Sequence, residues 1–270
     1  MNMNYINQLQ DEVNQIIDGY NPNIFPAFHQ TVQDHFPGTL SLKEYMKKTY
    51  EALLNYRFDN DNTMGMVAIC RDEITDPLFD AVIKYWGKTF NCCSLAGFVM
   101  MGKTGLASAT DHTPIFEGLR RFTFYAMPHI AISRYGDIGK VYREGIEKAS
   151  HACGALEVIV NELKSGHLNL ETDMEDIEQT IIRQKILSKI NYGDKPDLVE
   201  ITKLASQIIF NDVEKLLSPL DTTIFQYAVM TGIFIHGPLE TQWIYPQNFY
   251  VVGNDIPNGK EIIEVFQGKD

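Results

Sequence analysis

The sequence is poor in cysteine, and it has neither a long apolar run nor an excess of basic residues. Four cysteines in 270 residues are too few for a framework of disulfide bonds, which favours a reducing compartment. No apolar run reaches the length of about eighteen residues that a membrane-spanning helix needs. The opening residues, MNMNYINQLQDEVNQ, lack the basic and then apolar segments of a secretory signal. We therefore expect a cytoplasmic protein with no membrane partner.

The charge balance is acidic. Asp and Glu number 35 against 23 Lys and Arg, so the formal net charge is -12 and the pI is about 5.0. This balance argues against nucleic acid or an anionic membrane as the main partner. Hydrophobic residues make up 44% of the chain and charged residues 21%, which is typical of a globular protein with a substantial core.

The N-terminal part of the sequence has the apolar spacing of helices. Two helices are predicted, over 4–20 and over 41–57, and the second begins with a capping box formed by a serine and a glutamate. We predict that residues 1–60 form a helical extension packed on one α/β domain over 61–270. No repeat or low-complexity linker divides the chain, so we expect a single structural unit.

Short apolar runs alternate with amphipathic segments in the rest of the chain. The predicted strands cover 64–70, 95–101, 122–133, 224–236 and 249–252. The predicted helices cover 77–87, 144–164, 172–191 and 197–217. This alternation is typical of an α/β fold with a central, mostly parallel sheet flanked by helices.

The stretch GFVMMGKT, residues 97–104, matches the pattern of a phosphate-binding loop. In a working loop of this kind the residues between the glycines turn sharply, and a long helix follows the lysine. Here Phe98–Met101 favour a strand, and at most a short helix is expected after them. We therefore interpret Gly102–Gly105 as a tight turn at the ligand-binding edge of the sheet, with nucleotide binding as the less favoured alternative.

Two cysteines and a histidine are candidate metal ligands at the same edge. Cys70 ends the first predicted strand, His129 lies at the end of the third, and Cys153 lies near the start of the long helix. Two thiolates and one imidazole, with water in the fourth position, are a donor set of catalytic Zn²⁺ sites. Asp72 is close enough in sequence to orient a nucleophile there. Taken alone, each residue is more often a small buried thiol or a buried structural histidine than a metal ligand.

Five motifs together resemble one family. They are AICRDEI, LAGFVMMGKTGLASATDHTP, AMPHIAIS, HACGA and TGIFIHGP, and they occur in this order from about Cys70 to Pro238. They resemble the limiting CO2-inducible protein B family, the β-carbonic-anhydrase-like proteins of algae and some bacteria. The long interval between His129 and Cys153 is part of the resemblance, because ordinary β-carbonic anhydrases have the second cysteine close after the histidine.

The resemblance implies a function and a set of site residues. Cys70, His129 and Cys153 would be zinc ligands, and Asp72 with Arg71 would act in catalysis. The chain would then be a β-carbonic-anhydrase-like α/β homodimer, a lyase that interconverts CO2 and bicarbonate with a zinc-bound hydroxide. The pocket beside the zinc would include Gly102, Lys103, Thr104 and His112.

The sequence departs from the β-carbonic anhydrase pattern at one position. Where those enzymes have an arginine that pairs with the aspartate, this chain has Ile74. Arg71, Arg134 or Lys103 are candidates to supply the positive charge instead. Without such a cation Asp72 could bind zinc and close the site. The alternative interpretation is therefore a catalytically silent zinc protein that acts as a subunit or scaffold in inorganic-carbon handling.

Overall fold

The computed structural model describes residues 23–142 and 148–266. The helix predicted over 4–20 lies outside these residues, so it stays a prediction, as does the division at residue 60. None of the helices in the described ranges is long and apolar enough to cross a membrane.

Helices and strands alternate along much of the described chain. The α-helices are α1 (Pro26–His35), α2 (Leu42–Leu54), α3 (Asp76–Trp86), α4 (Gly102–Asp111), α5 (Gly154–Ser165), α6 (Ile177–Leu187) and α7 (Leu198–Leu217). The strands are β1 (Leu40–Ser41), β2 (Thr63–Ala68), β3 (Lys88–Asn91), β4 (Ile115–Phe116), β5 (Leu119–Ala126), β6 (His129–Ala131), β7 (Lys140–Val141), β8 (Ser150–His151), β9 (Phe225–His236), β10 (Gln242–Val252) and β11 (Lys260–Ile262).

The fold is α/β, with a central, mostly parallel sheet between two layers of helices. The main strand order is β1-β10-β9-β5-β2-β3. Strands β3, β2, β5 and β9 pair in parallel, β6 pairs in parallel with the last part of β9, and β10 runs antiparallel to β9. The predicted fold class is confirmed.

The central strand β2 shows how the sheet is covered on both faces. Met64 and Met66 belong to an apolar cluster with residues of α5, α6 and α7. Val67 points the other way, into a cluster with residues of α2 and α3. All six residues of β2 are buried, as expected for a parallel strand packed on two sides.

The predicted helix over 41–57 is confirmed as α2. Its first turn is capped by Ser41 Oγ, which accepts a hydrogen bond from the Glu44 N–H at 3.2 Å. Helices α3 and α7 match their predictions closely. The helix predicted over 172–191 is shorter, and the one predicted over 144–164 begins only at Gly154, because residues 150–151 form a strand paired with β7.

The prediction of a strand over 95–101 followed by a tight turn is wrong. Residues 95–97 form one turn of 3-10 helix, and Gly102–Asp111 form the ten-residue helix α4. The physical reason is that Leu106, Ala109 and Thr110 bury one face of α4, a helical spacing in residues that favour helix. Gly102, Lys103 and Thr104 therefore occupy the first turn of a helix.

The predicted strand over 122–133 is divided into two. Proline has no N–H to donate to a sheet, and the strand is interrupted at Met127-Pro128, between β5 and β6. The Pro128 carbonyl still accepts a hydrogen bond from the Phe234 N–H at 2.9 Å, which keeps β6 in the sheet. His129 is thus the first residue of the short strand β6 and does not lie near the end of one long strand.

Candidate metal centre

Three ligand atoms converge at the carboxyl ends of the parallel strands. The sulfurs of Cys70 and Cys153 and a ring nitrogen of His129 all lie within 4.8 Å of one another. The side chains are buried, with 5%, 1% and 1% of the Cys70, Cys153 and His129 surfaces exposed. The sequence predicts these three residues as ligands of one metal ion, and the structure places them in one cluster.

Cys70 is fixed by the loop that leaves β2. Its carbonyl accepts a hydrogen bond from Thr75 Oγ1 at 2.8 Å. On the other side Cys70 forms an isolated parallel bridge with Ser94, and the Ser94 N–H donates to the Ile69 carbonyl at 3.1 Å. The thiol is therefore held at the end of a buried strand by backbone contacts on both sides.

Cys153 is the N-cap residue of α5. The backbone N–H groups of Leu156 and Ala155 point toward its sulfur and favour the thiolate. The positive end of a helix dipole stabilises a thiolate in the same way. The local sequence Cys-Gly-Ala-Leu thus places a thiol where the start of a helix would stabilise its thiolate once a cation binds.

The two thiols differ in how readily each loses its proton. The pKa of Cys70 is lowered, first because the Cys153 thiol donates a hydrogen bond to it and then because the His129 ring and the Asp72 backbone N–H lie close to it. The pKa of Cys153 is raised well above its ordinary value by that same hydrogen bond and by burial. The pair releases one proton readily and retains the second until a cation replaces it.

His129 has one ring nitrogen engaged and the other without a partner in the described chain. Its Nδ1 lies 3.0 Å from His236 Nε2, and His236 Nδ1 lies 2.7 Å from Gln242 Oε1. The buried Nε2 of His129 makes no hydrogen bond to any described residue. A buried polar atom without a hydrogen bond is costly, and a metal ion held with the two thiolates would satisfy it. Two sulfurs and one imidazole nitrogen fit zinc.

Asp72 and Arg71 lie beside Cys70 but outside the three-ligand cluster. Asp72 is half-buried, and its carboxylate accepts a long hydrogen bond, 3.5 Å, from the Ile74 N–H. Arg71 is exposed and its guanidinium pairs with Glu178 Oε1 at 2.5 Å. The other oxygen of Glu178 accepts a hydrogen bond from the Leu95 N–H at 2.8 Å. Glu178 of α6 therefore ties the loop after Cys70 to the turn at Leu95.

The remaining predicted pocket residues lie on α4. Gly102, Lys103 and Thr104 are exposed on its first turn. His112 follows its last turn, and His112 Nδ1 lies 2.7 Å from the Ser108 carbonyl oxygen. None of these four residues belongs to the cluster of ligand atoms, and their role in a pocket stays a prediction.

The sequence interpretation did not assign a role at this centre to three residues that contact it directly or indirectly. His236 ends the predicted strand over 224–236, and the sequence favours structural packing for it, with pocket lining as the alternative. Gln242 carried no signal, because its contact with His236 depends on the pairing of β9 with β10. Glu178 was also missed, since its partners are far from it in sequence.

A buried Cys–His–Cys donor set at the carboxyl ends of a mostly parallel α/β sheet defines a β-carbonic-anhydrase-like protein with a candidate metal site. The sequence profile of the limiting CO2-inducible proteins B/C, beta carbonic anhydrases, matches residues 39–253. The chain therefore belongs to this family.

Solved structures are similar over most of the chain. The crystal structure of the limiting CO2-inducible protein LCIB is 29% identical with a TM-score of 0.69, covering 86% of this chain and 96% of that one. The crystal structure of PtLCIB4, a homologue of LCIB, is 24% identical with a TM-score of 0.74, covering 88% of this chain and 99% of that one. At 24% identity, the similarity to PtLCIB4 is evidence for the fold only. Curated protein sequences give no match.

Proposed function

We propose that this chain is a zinc-dependent carbonic anhydrase that interconverts CO2 and bicarbonate. The observation that supports it most is the buried Nε2 of His129, which has no hydrogen bond to the described chain, on a ring that offers a nitrogen within 4.8 Å of the Cys70 and Cys153 sulfurs. A nitrogen and two thiolates so arranged suit a catalytic zinc site with one position left for substrate. Membership of the family supports the same reaction.

The residues of the chain have separate parts in this proposal. Cys70, Cys153 and His129 would hold the ion, and zinc would supply the Lewis acidity that ionises water near neutral pH. Asp72 would accept a hydrogen bond from the attacking oxygen and direct its lone pair toward CO2. Phe98 belongs to the same buried cluster as Cys70 and Cys153 and would provide apolar surroundings for a nonpolar substrate.

Stopped-flow CO2 hydration tests the proposal on protein with one zinc per chain. We expect a rate well above the uncatalysed one, and its loss in Cys70→Ser together with the zinc. Cys93→Ser is the matched control, because Cys93 is half-buried and outside the ligand cluster. A zinc-replete wild-type protein with only the uncatalysed rate would refute the enzymatic function.

The silent zinc protein is the second candidate, and Ile74 is the observation in its favour. An arginine at this position would reach toward Asp72 in the β-carbonic anhydrase pattern, and the nearby Arg71 is already paired with Glu178. This candidate predicts one zinc per chain without turnover. A gain of hydration activity in Ile74→Arg, starting from an inactive wild type, would support it, whereas an active wild type would exclude it.

We also propose that the chain is a cytoplasmic homodimer. The low cysteine content and the family resemblance support this. Light scattering after size exclusion tests the assembly, and a monomer at micromolar concentration would contradict it.

A further inference from the structure

Three polar side chains lie in a row across the carboxyl end of the sheet. On the antiparallel pair β9–β10, Gln242 is directly opposite His236. On the parallel pair β6–β9, His129 is opposite Phe234, two residues before His236. Directly opposite and diagonal neighbours on one face of a sheet are close enough to interact. Backbone pairing of three strands therefore brings Gln242, His236 and His129 together.

The contacts in this row are short and shielded from solvent. Gln242 Oε1 lies 2.7 Å from His236 Nδ1, and His236 Nε2 lies 3.0 Å from His129 Nδ1. The two histidines are 5% and 1% exposed. The ring of His236 also packs edge-on against Phe234, with 4.6 Å between the centroids, which fixes the orientation of the imidazole.

Hydrogen-bond chemistry determines where the protons lie along the row. The amide oxygen of Gln242 can only accept, so His236 Nδ1 must carry the proton. When the His236 ring is neutral, its Nε2 is the acceptor and His129 Nδ1 is the donor. His129 is left with its lone pair on Nε2, the atom that lacks a partner among the described residues. Rotating the Gln242 amide by 180° would reverse every step and place a proton on His129 Nε2, where it would block coordination.

We propose that Gln242 is a positioning residue that, through His236, holds His129 in the tautomer able to bind a metal ion. The proposal rests on the proposed function only in requiring that zinc binds at Cys70, His129 and Cys153. Outer residues that set the tautomer of a ligating histidine typically contribute a factor of 10–100 in metal affinity. Gln242 does not touch the metal or the substrate in this role.

Zinc affinity measured by competition with a chelator, at constant pH, tests the role of the acceptor oxygen. We expect Gln242→Met, which keeps the side-chain length but removes the acceptor, to weaken zinc binding by about 10–100-fold. Gln242→Glu retains an oxygen acceptor and should bind zinc at least as tightly as the wild type. Gln247→Met is the matched control on the same strand, since Gln247 is exposed and its Oε1 accepts from Ser206 Oγ instead.

Two results would overturn the proposal. The first is a Gln242→Met affinity within about twofold of the wild type, and the second is a Gln242→Glu affinity as weak as that of Gln242→Met. Should the variants fold poorly, long-range ¹H–¹⁵N NMR of the wild type reads the tautomers directly. Protons on Nδ1 of both His129 and His236 are expected, and a proton on Nε2 of His236 refutes the idea. These readouts do not depend on catalysis, so a silent zinc protein would still give them.

Discussion

At the scale of single residues, Gly97 shows how closely the chain packs beside the candidate metal centre. Its φ of +75° lies in the left-handed region, and a Cβ added there would be 2.3 Å from the Met127 carbonyl oxygen. Both the conformation and the close approach require glycine. This packing sets the turn at residues 95–97 against the end of β5, between the segments that carry Cys70 and His129.

Gly97→Ala should therefore destabilise the fold by about 3 kcal/mol or more, from the left-handed conformation and the steric clash together. Gly102→Ala is the matched control, because Gly102 also has a positive φ, +60°, but open space around the added Cβ. We expect the control to cost about 1–2 kcal/mol. Urea unfolding of the two variants measures the difference, and equal losses would contradict the packing argument.

The candidate ligand residues illustrate what sequence reasoning can find at this scale. Cys70, His129 and Cys153 were identified because sulfur and imidazole at strand ends and a helix start are a recognisable pattern, and because the motifs resemble a family. Gln242 could not be identified in this way. A glutamine at the start of a strand is chemically ordinary until the register of β9 against β10 places its oxygen beside His236.

At the scale of secondary structure, long periodic segments were predictable and the region after Cys93 was not. The spacing of apolar residues predicts helices α2, α3 and α7 and strands β2 and β9, and most of these residues are buried in the fold. The run Phe98–Met101 is apolar enough for a strand, yet it forms no ladder, because Gly97 turns the chain and α4 begins directly afterwards. Tertiary packing there overrides the local β preference.

Helix α7 allows the contribution of a helix cap to stability to be measured, because it begins with a complete capping box. Asp197 Oδ1 accepts from the Glu200 N–H at 2.9 Å, and Glu200 Oε2 accepts from the Asp197 N–H at 2.8 Å. Asp197→Ala should lower the free energy of unfolding by about 1 kcal/mol. Asp197→Ser should retain most of the stability, since a hydroxyl also caps. Chemical denaturation compares the two, and an Asp197→Ala variant as stable as the wild type would count against the cap.

At the scale of the whole molecule, the candidate metal site joins three separate segments. Cys70 follows β2, His129 begins β6 and Cys153 caps α5. These ligands are together only in the folded chain, so binding of an ion and folding are coupled. Zinc should consequently stabilise the native state as a ligand that the unfolded chain binds weakly.

Removal of zinc by a chelator should lower the melting temperature. Free zinc at about 100 times its dissociation constant contributes about 2.7 kcal/mol, which is about 5–10 °C for a chain of this size. Differential scanning fluorimetry with and without chelator measures the shift. Cys70→Ser should melt at the same temperature in both conditions, while Cys93→Ser should keep the wild-type shift. A wild type that is insensitive to the chelator would contradict the coupling.

Strand β9 makes the His129 side of the candidate metal centre harder to open than the side that carries the two cysteines. It lies inside the sheet, pairs with β5, β6 and β10, and is buried from its second residue to His236. Amide hydrogens in such a strand exchange with solvent only when most of the molecule opens. We therefore expect the imidazole held against β9 to be as persistent as the fold itself, and Cys70 and Cys153, which lie outside the central strands, to open first. Exchange of the ion would begin with the release of a thiolate and end with the imidazole.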